Sequence, residues 1–330
     1  MSSSSSSKLS HFVVGLWVAS ILLGLGVFAL WLGRSPSARS AILHFSPTPT
    51  KTFTSSFTST SSITLTPSPS RTASSTRTFT PGLTSTATQT PIPFSEGPIK
   101  IGESVKGLPL EVYRYGTGPV ERLIVAGMHG GGEYNTVQLV EELMAYLDDH
   151  PEIVPQEVTL YFLHALNPDG IARSLSYLGR ANANGVDLNR NWPDGWKKDW
   201  DRTGCWITTY VTGGKKPASE PETQALMAFI QAHHFSGLIN YHSAALGIFP
   251  GGVPSTDSSK QLAEVIAAVS TYHYPPIDTG CEYTGGMVDW TADQDIPSVD
   301  VELSDHLHTD FDMNLRILQV FLTWQEKPNQ

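Results

Sequence analysis

The chain has 330 residues, of which 40% are hydrophobic and 16% charged, and a formal net charge of −10. Residues 1–94 hold six basic side chains and no acidic one, so that part is +6 and the remainder −16. A domain that acidic repels phosphate at long range, which excludes nucleic acid as a partner and assigns the surplus carboxylates to solubility.

Residues 12–32 form an uncharged, almost wholly apolar run of 21 residues. At about 1.5 Å per residue a helix of that length crosses a hydrocarbon core of about 30 Å, and it exceeds the roughly 7–15 apolar residues of a cleaved signal peptide. It is predicted to be a single membrane-spanning signal anchor, with residues 1–11 as a cytoplasmic tail. The basic residues on its two flanks balance and do not set the orientation; the segment that follows does. Residues 46–93 are a Ser/Thr/Pro tract with almost no aliphatic content, which cannot bury enough apolar surface to offset the entropy of ordering. Residues 33–94 thus read as a disordered extracytoplasmic stalk, O-glycosylated or bare, reaching on the order of 40 Å as a coil. Residues 95–330 are left as one folded domain, expected to be monomeric. Its two cysteines, Cys205 and Cys281, allow one disulfide or two thiols and lack metal-ligand spacing.

Within the folded part, ERLIVAGM at 121–128 is a short apolar run that fits a buried strand delivering His129 at its end. Asn135 is placed to cap a helix whose core face is Val137, Val140, Leu143, Met144 and Leu147. Residues 158–163 fit a second strand, followed by a turn at Asn167-Pro168-Asp169-Gly170. Ser219, with Pro221 and Glu222, reads as a capping box for a helix burying Leu226, Phe229 and Ile230. Residues 238–242 and 299–303 read as strands, and 262–269 and 315–322 as helices. This alternation predicts an α/β domain with a mixed, mostly parallel sheet covered by helices on both faces, binding ligands beyond its strand ends.

Six fragments lie along this part in order: MHGGGEYN at 128–135, NPDG at 167–170, GVDLNRNW at 185–192, NYHS at 240–243, TGGMVDW at 284–290 and VEL at 301–303. Together they resemble the zinc carboxypeptidases of the carboxypeptidase A type, over about residues 97–325. His129 and Glu133 from one tight loop, with the distant His242, supply two nitrogens and one carboxylate. That is the ligand set of one catalytic Zn2+ with a position left open. Gly130, Gly131 and Gly132 let both side chains turn to one point, and they argue against a helical i, i+4 pair. The family's usual pair has two intervening residues; this chain has three.

The resemblance makes Glu302 the general base that takes a proton from the attacking water and returns it to the leaving amine. It makes Arg180 the group that polarises the scissile carbonyl, and Asn189 and Arg190 the pair that grips a substrate carboxylate. Aligning on Gly285 and Gly286 puts Cys281 where the family has a mobile Tyr that closes on the substrate; Tyr283, the nearest phenol, is the expected substrate contact in its place. Val288 matches the floor of the specificity pocket, which implies a neutral, apolar terminal side chain. His306 and His308 read as solvated loop histidines, and His164 and His273 have no evident partner. The implied function is a membrane-anchored, extracytoplasmic zinc metallocarboxypeptidase acting on a peptide or cell-wall peptide with a free C-terminal carboxylate. The alternatives are a peptidoglycan stem-peptide amidase or endopeptidase on the same site, or an inactive binding module on this scaffold.

Overall fold

The computed structural model describes residues 92–199, 212–281 and 284–328. The apolar run at 12–32, nearly all of the Ser/Thr/Pro tract, Cys205 and Tyr283 lie outside the described residues. No helix among the described residues is long and apolar enough to cross a membrane.

The strands are β1 (Ser95–Glu103), β2 (Pro109–Gly116), β3 (Val120–Val125), β4 (Val158–Leu163), β5 (Phe235–Ser243), β6 (Ile248–Pro250) and β7 (Ser298–Leu303). The helices are α1 (Tyr134–Asp149), α2 (Pro168–Arg173), α3 (Pro221–Gln231), α4 (Asp257–Ala268), α5 (Met287–Ala292) and α6 (Phe311–Thr323). One seven-stranded sheet runs β1-β2-β4-β3-β5-β7-β6. Its centre, β4-β3-β5-β7, is parallel, while β1–β2, β2–β4 and β6–β7 pair antiparallel. The sheet is mixed as expected, but only half of its pairings are parallel. The β1–β2 hairpin and β6 escape sequence reading because β1 is mostly exposed and β6 is three residues long.

Strand alternation sorts the core into two layers. Ile124, Ile239, Val299 and Val301 pack with α1, α4 and α6 on one face. Leu123, Val125 and Leu238 pack with α3 and α5 on the other. On β7 this leaves Asp300 and Glu302 facing the α3 and α5 side, and the register pairs Asn240 with Asp300 and His242 with Glu302.

Three local expectations need correcting. Asn135 lies inside α1 and does not cap it, because its amide donates instead to the carbonyls of Asp305 and His308, at 2.7 and 2.9 Å. Asn167 to Gly170 is the capped start of α2, with the Asn167 side chain accepting from Gly170 N. The cap position of α3 is Glu220, because Ser219 Oγ donates to the Glu220 carboxylate and Glu222 turns to Val105 N and Asn182.

Candidate active site

β3 is followed by Ala126, Gly127 and Met128, which deliver His129; a single 3-10 turn, Gly131–Glu133, then brings Glu133 round before α1 begins. This turn absorbs the extra residue between the two. A Cβ on Gly131 would sit 1.5 Å from Ser174 O, and one on Gly130 would sit 2.6 Å from Gly179 O. The glycines are therefore needed for close approach of two backbones, as well as for flexibility.

The fold brings His129, Glu133 and His242 together, with one ligand atom from each inside a 4.8 Å group. His129 Nδ1 lies 2.8 Å from Glu133 Oε1, His242 Nδ1 lies 3.0 Å from Glu133 Oε2, and the two Nδ1 atoms are 3.2 Å apart. All three side chains are buried. Each ring turns its other nitrogen to a carboxylate: His129 Nε2 is 2.9 Å from Asp187 Oδ1, and His242 Nε2 is 3.5 Å from Asp300 Oδ1. An Nε2–H donated outward leaves a lone pair on each Nδ1, and two converging lone pairs beside a carboxylate are what a divalent cation satisfies. Asn240 Nδ2 donates to Asp300 Oδ1 at 2.7 Å, which holds that carboxylate beside the His242 ring. The donor set therefore fits zinc.

The electrostatics agree. Burial opposes charge on Glu133, but His129 and His242 outweigh it and hold the carboxyl well below its usual range. Burial likewise pulls His242 down, yet Asp300 and Glu133 raise it to about 10, the signature of a negative nest that favours a cation. Glu302 goes the other way: burial and then the Glu133 carboxylate push it up to about 8, and its Oε2 has no hydrogen-bond partner.

Arg180 is clamped beside the group. Its Nε and one terminal nitrogen contact Asp187 Oδ2 at 3.0 and 2.9 Å, and the other contacts Glu133 Oε1 at 3.2 Å. Of the five N–H groups of a guanidinium, two remain for a substrate oxygen. Arg190 and Asn189 line the same cleft, which has a volume of about 1060 Å³. Arg190 donates to Asn189 O, and Asn189 Oδ1 accepts from Met287 N at 2.9 Å. The end of the cleft near Arg190 is formed by Gly286, Val288, Asp289 and Asp300. Val288 lines the cleft as expected of a pocket residue, and the carboxylates of Asp289 and Asp300 line it as well.

Sequence reading gave no role to Asp187, Asn240 or Asp300. Asn240 and Asp300 were findable, since each lies two residues before a site residue on a strand and so shares its face. His306 Nδ1 contacts Ser243 Oγ at 3.0 Å, and His308 pairs with Asp305. His164 does have a partner, Glu141, at 2.8 Å. Cys281 lines the cleft and is disulfide-bonded.

The family model described as zinc carboxypeptidase matches residues 87–327. The chain is 30% identical over 217 residues to murein peptide amidase A of Escherichia coli K12, covering 63% of this chain and 82% of that protein. It is 27% identical over 230 residues to carboxypeptidase A1 of Rattus norvegicus, covering 60% of this chain and 54% of that protein. Among solved structures, the murein-tripeptide amidase of Escherichia coli O157 superposes with a TM-score of 0.51 at 27% identity, covering 72% of this chain and 94% of that one. Bovine thrombin-activatable fibrinolysis inhibitor shares the fold, with a TM-score of 0.53 at 21% identity, covering 68% and 86%.

Proposed function

The chain belongs to the zinc carboxypeptidase family, and on that premise we propose that it is a zinc-dependent hydrolase that cuts the bond before a C-terminal residue bearing a free carboxylate. The observation that carries this reading is Arg190 with Asn189, buried at the end of the cleft that holds His129, Glu133 and His242. A guanidinium at that place can take a carboxylate bidentately, and a peptide terminus supplies one.

His129, Glu133 and His242 would hold the zinc, which supplies Lewis acidity to the attacking water and the scissile carbonyl. Glu302 would take the proton of that water and pass it to the departing amine. The free N–H groups of Arg180 would donate to the carbonyl oxygen as negative charge grows there. Asp187 would keep His129 and Arg180 in place through its two oxygens.

A second reading, a cell-wall peptide amidase, is favoured by the 30% identity to murein peptide amidase A. One panel separates the two: linear peptides, the same peptides amidated at the C-terminus, and a murein tripeptide, each with and without chelator. Amidation is expected to cut turnover of the linear peptides at least about tenfold, because a neutral amide cannot take the charge-assisted, bidentate hydrogen bonds that Arg190 can give a carboxylate. Equal rates on acid and amide forms would sink the C-terminal reading, and cleavage confined to the murein tripeptide would establish the amidase.

We also propose that residues 12–32 anchor the domain to the cell membrane with the catalytic part outside, supported by the apolar run and the Ser/Thr/Pro tract that follows it. Protease added to intact cells is expected to release the catalytic domain by cutting the stalk. Its persistent protection would place the domain inside.

A further inference from the structure

His306 and His308 look alike in sequence, on one loop after β7, and the structure separates them. His308 pairs with Asp305 in solvent and does not line the cleft. His306 does line it, and although the residue is exposed its ring is anchored to a buried one: Nδ1 lies 3.0 Å from Ser243 Oγ.

The protons in that contact have a single arrangement. Carbonyl oxygens only accept, so the Asn135 atom that meets Asp305 O and His308 O is its amide nitrogen, and Asn135 Oδ1 is left facing Ser243. Ser243 Oγ therefore gives its one proton to Asn135 Oδ1, at 2.9 Å. It can then only accept from the ring, which puts the hydrogen of His306 on Nδ1. In the neutral imidazole the other nitrogen, Nε2, carries a lone pair and no hydrogen. Asn135 and Ser243 are 1% and 5% exposed, so water does not compete for these bonds. The turn is held as well, because Asp305 Oδ1 accepts from Leu307 N and His308 N, both at 2.7 Å. His306 thus offers the cleft a hydrogen-bond acceptor of fixed tautomer.

The same contacts place that acceptor. Asn189 Nδ2 meets the His242 ring at Nε2, at 3.1 Å, and Glu133 Oε2 meets it at Nδ1, at 3.0 Å. Glu133 Oε2 also accepts from Ser243 N at 3.2 Å, and Ser243 is the residue that His306 touches. His306 therefore lies beyond Glu133, across the metal-ligand group from Asn189. This inference rests on the C-terminal reading above. With a terminal carboxylate at Arg190 and Asn189 and the scissile carbonyl over His129, Glu133 and His242, the residue before the bond lies on the His306 side. Its carbonyl is the reacting group, so its N–H is the one backbone hydrogen-bonding group it has left, and an N–H needs an acceptor. We propose that His306 Nε2 accepts the backbone N–H of the residue just before the scissile bond, which makes His306 a substrate-binding residue that sets the register of the peptide across the metal.

The test uses the full chain and two peptides that differ by one methyl group, carried on the backbone nitrogen of the residue before the cut bond. The wild type is expected to favour the N–H peptide by at least about tenfold in kcat/KM, since the methylated one covers Nε2 without giving it a hydrogen. Glutamine and asparagine divide the two ring nitrogens between them: the amide of glutamine reaches the place of Nε2, that of asparagine only the place of Nδ1. His306→Gln should therefore keep most of the preference. His306→Asn can still donate to Ser243 but should bring the ratio to within about threefold of one; the site is exposed, so folding is not at stake. His308→Gln, outside the cleft, should leave the ratio alone. A wild-type ratio near one, or glutamine and asparagine variants that behave alike, overturns the proposal. So does a preference that His308→Gln removes as His306→Asn does. If neither peptide is hydrolysed in a chelator-sensitive way, the C-terminal reading itself fails, and this inference with it.

Discussion

Glu302→Gln is expected to keep its zinc and its fold while losing at least about a hundredfold in turnover, the lower end of the roughly 10²- to 10⁴-fold range of general-base contributions. Glutamine preserves the size of the side chain and its place on β7, opposite His242, but cannot accept a proton. Glu302 is also the one carboxyl in the cleft that burial and Glu133 push up to about 8 with an oxygen left unpartnered. Zinc beside it would bring that value down, since a positive charge favours the carboxylate. The rate of the wild type should then rise with pH through the Glu302 titration, and the variant should lose that limb. Metal content by atomic emission and a pH profile of kcat/KM check both parts. A fully active variant, or one that loses its metal, would mean that Glu302 is not the base.

His242→Ala should behave differently, losing metal and activity together. It removes one of three protein ligands and leaves only His129 and Glu133 to hold the metal. Outer-shell substitutions at metal sites cost roughly 10- to 100-fold in affinity, so loss of a ligand should cost more than about a hundredfold. Equilibrium dialysis against zinc measures this directly. Losing the bound zinc also removes its stabilisation of the folded chain, so the variant should melt below the wild type when both are saturated with zinc. Retention of near-stoichiometric zinc would remove His242 from the ligand set.

Much of this site could be read from the chain because its parts fall on strand ends and tight turns, whose residue patterns are local. His129, Glu133 and His242 meet as the family resemblance and the three glycines implied, and Glu302 faces the cleft because its neighbours Val301 and Leu303 pack in the core. What escaped were partners chosen by tertiary contact. Asn135 has the chemistry of a cap, yet its amide finds two carbonyls on the loop after β7, and nothing near it in sequence announces them. Asp300 joins the pocket because the register of β5 and β7 sets it opposite Asn240, and register is not written in either strand alone. The β1–β2 hairpin was missed because an exposed edge lacks the strong alternation that a buried strand must have.

The parallel centre of the sheet has a further consequence for when the molecule becomes active. His129 follows β3, His242 lies on β5 and Glu302 on β7, and these strands are hydrogen-bonded neighbours despite the long stretches of chain between them. Such non-local pairings close late, after the intervening loops have been ordered. A nascent chain still lacking β7 has no Glu302, and one lacking β5 has no third ligand. Hydrolytic competence is therefore a late event of folding, reached only once β7 has paired with β5.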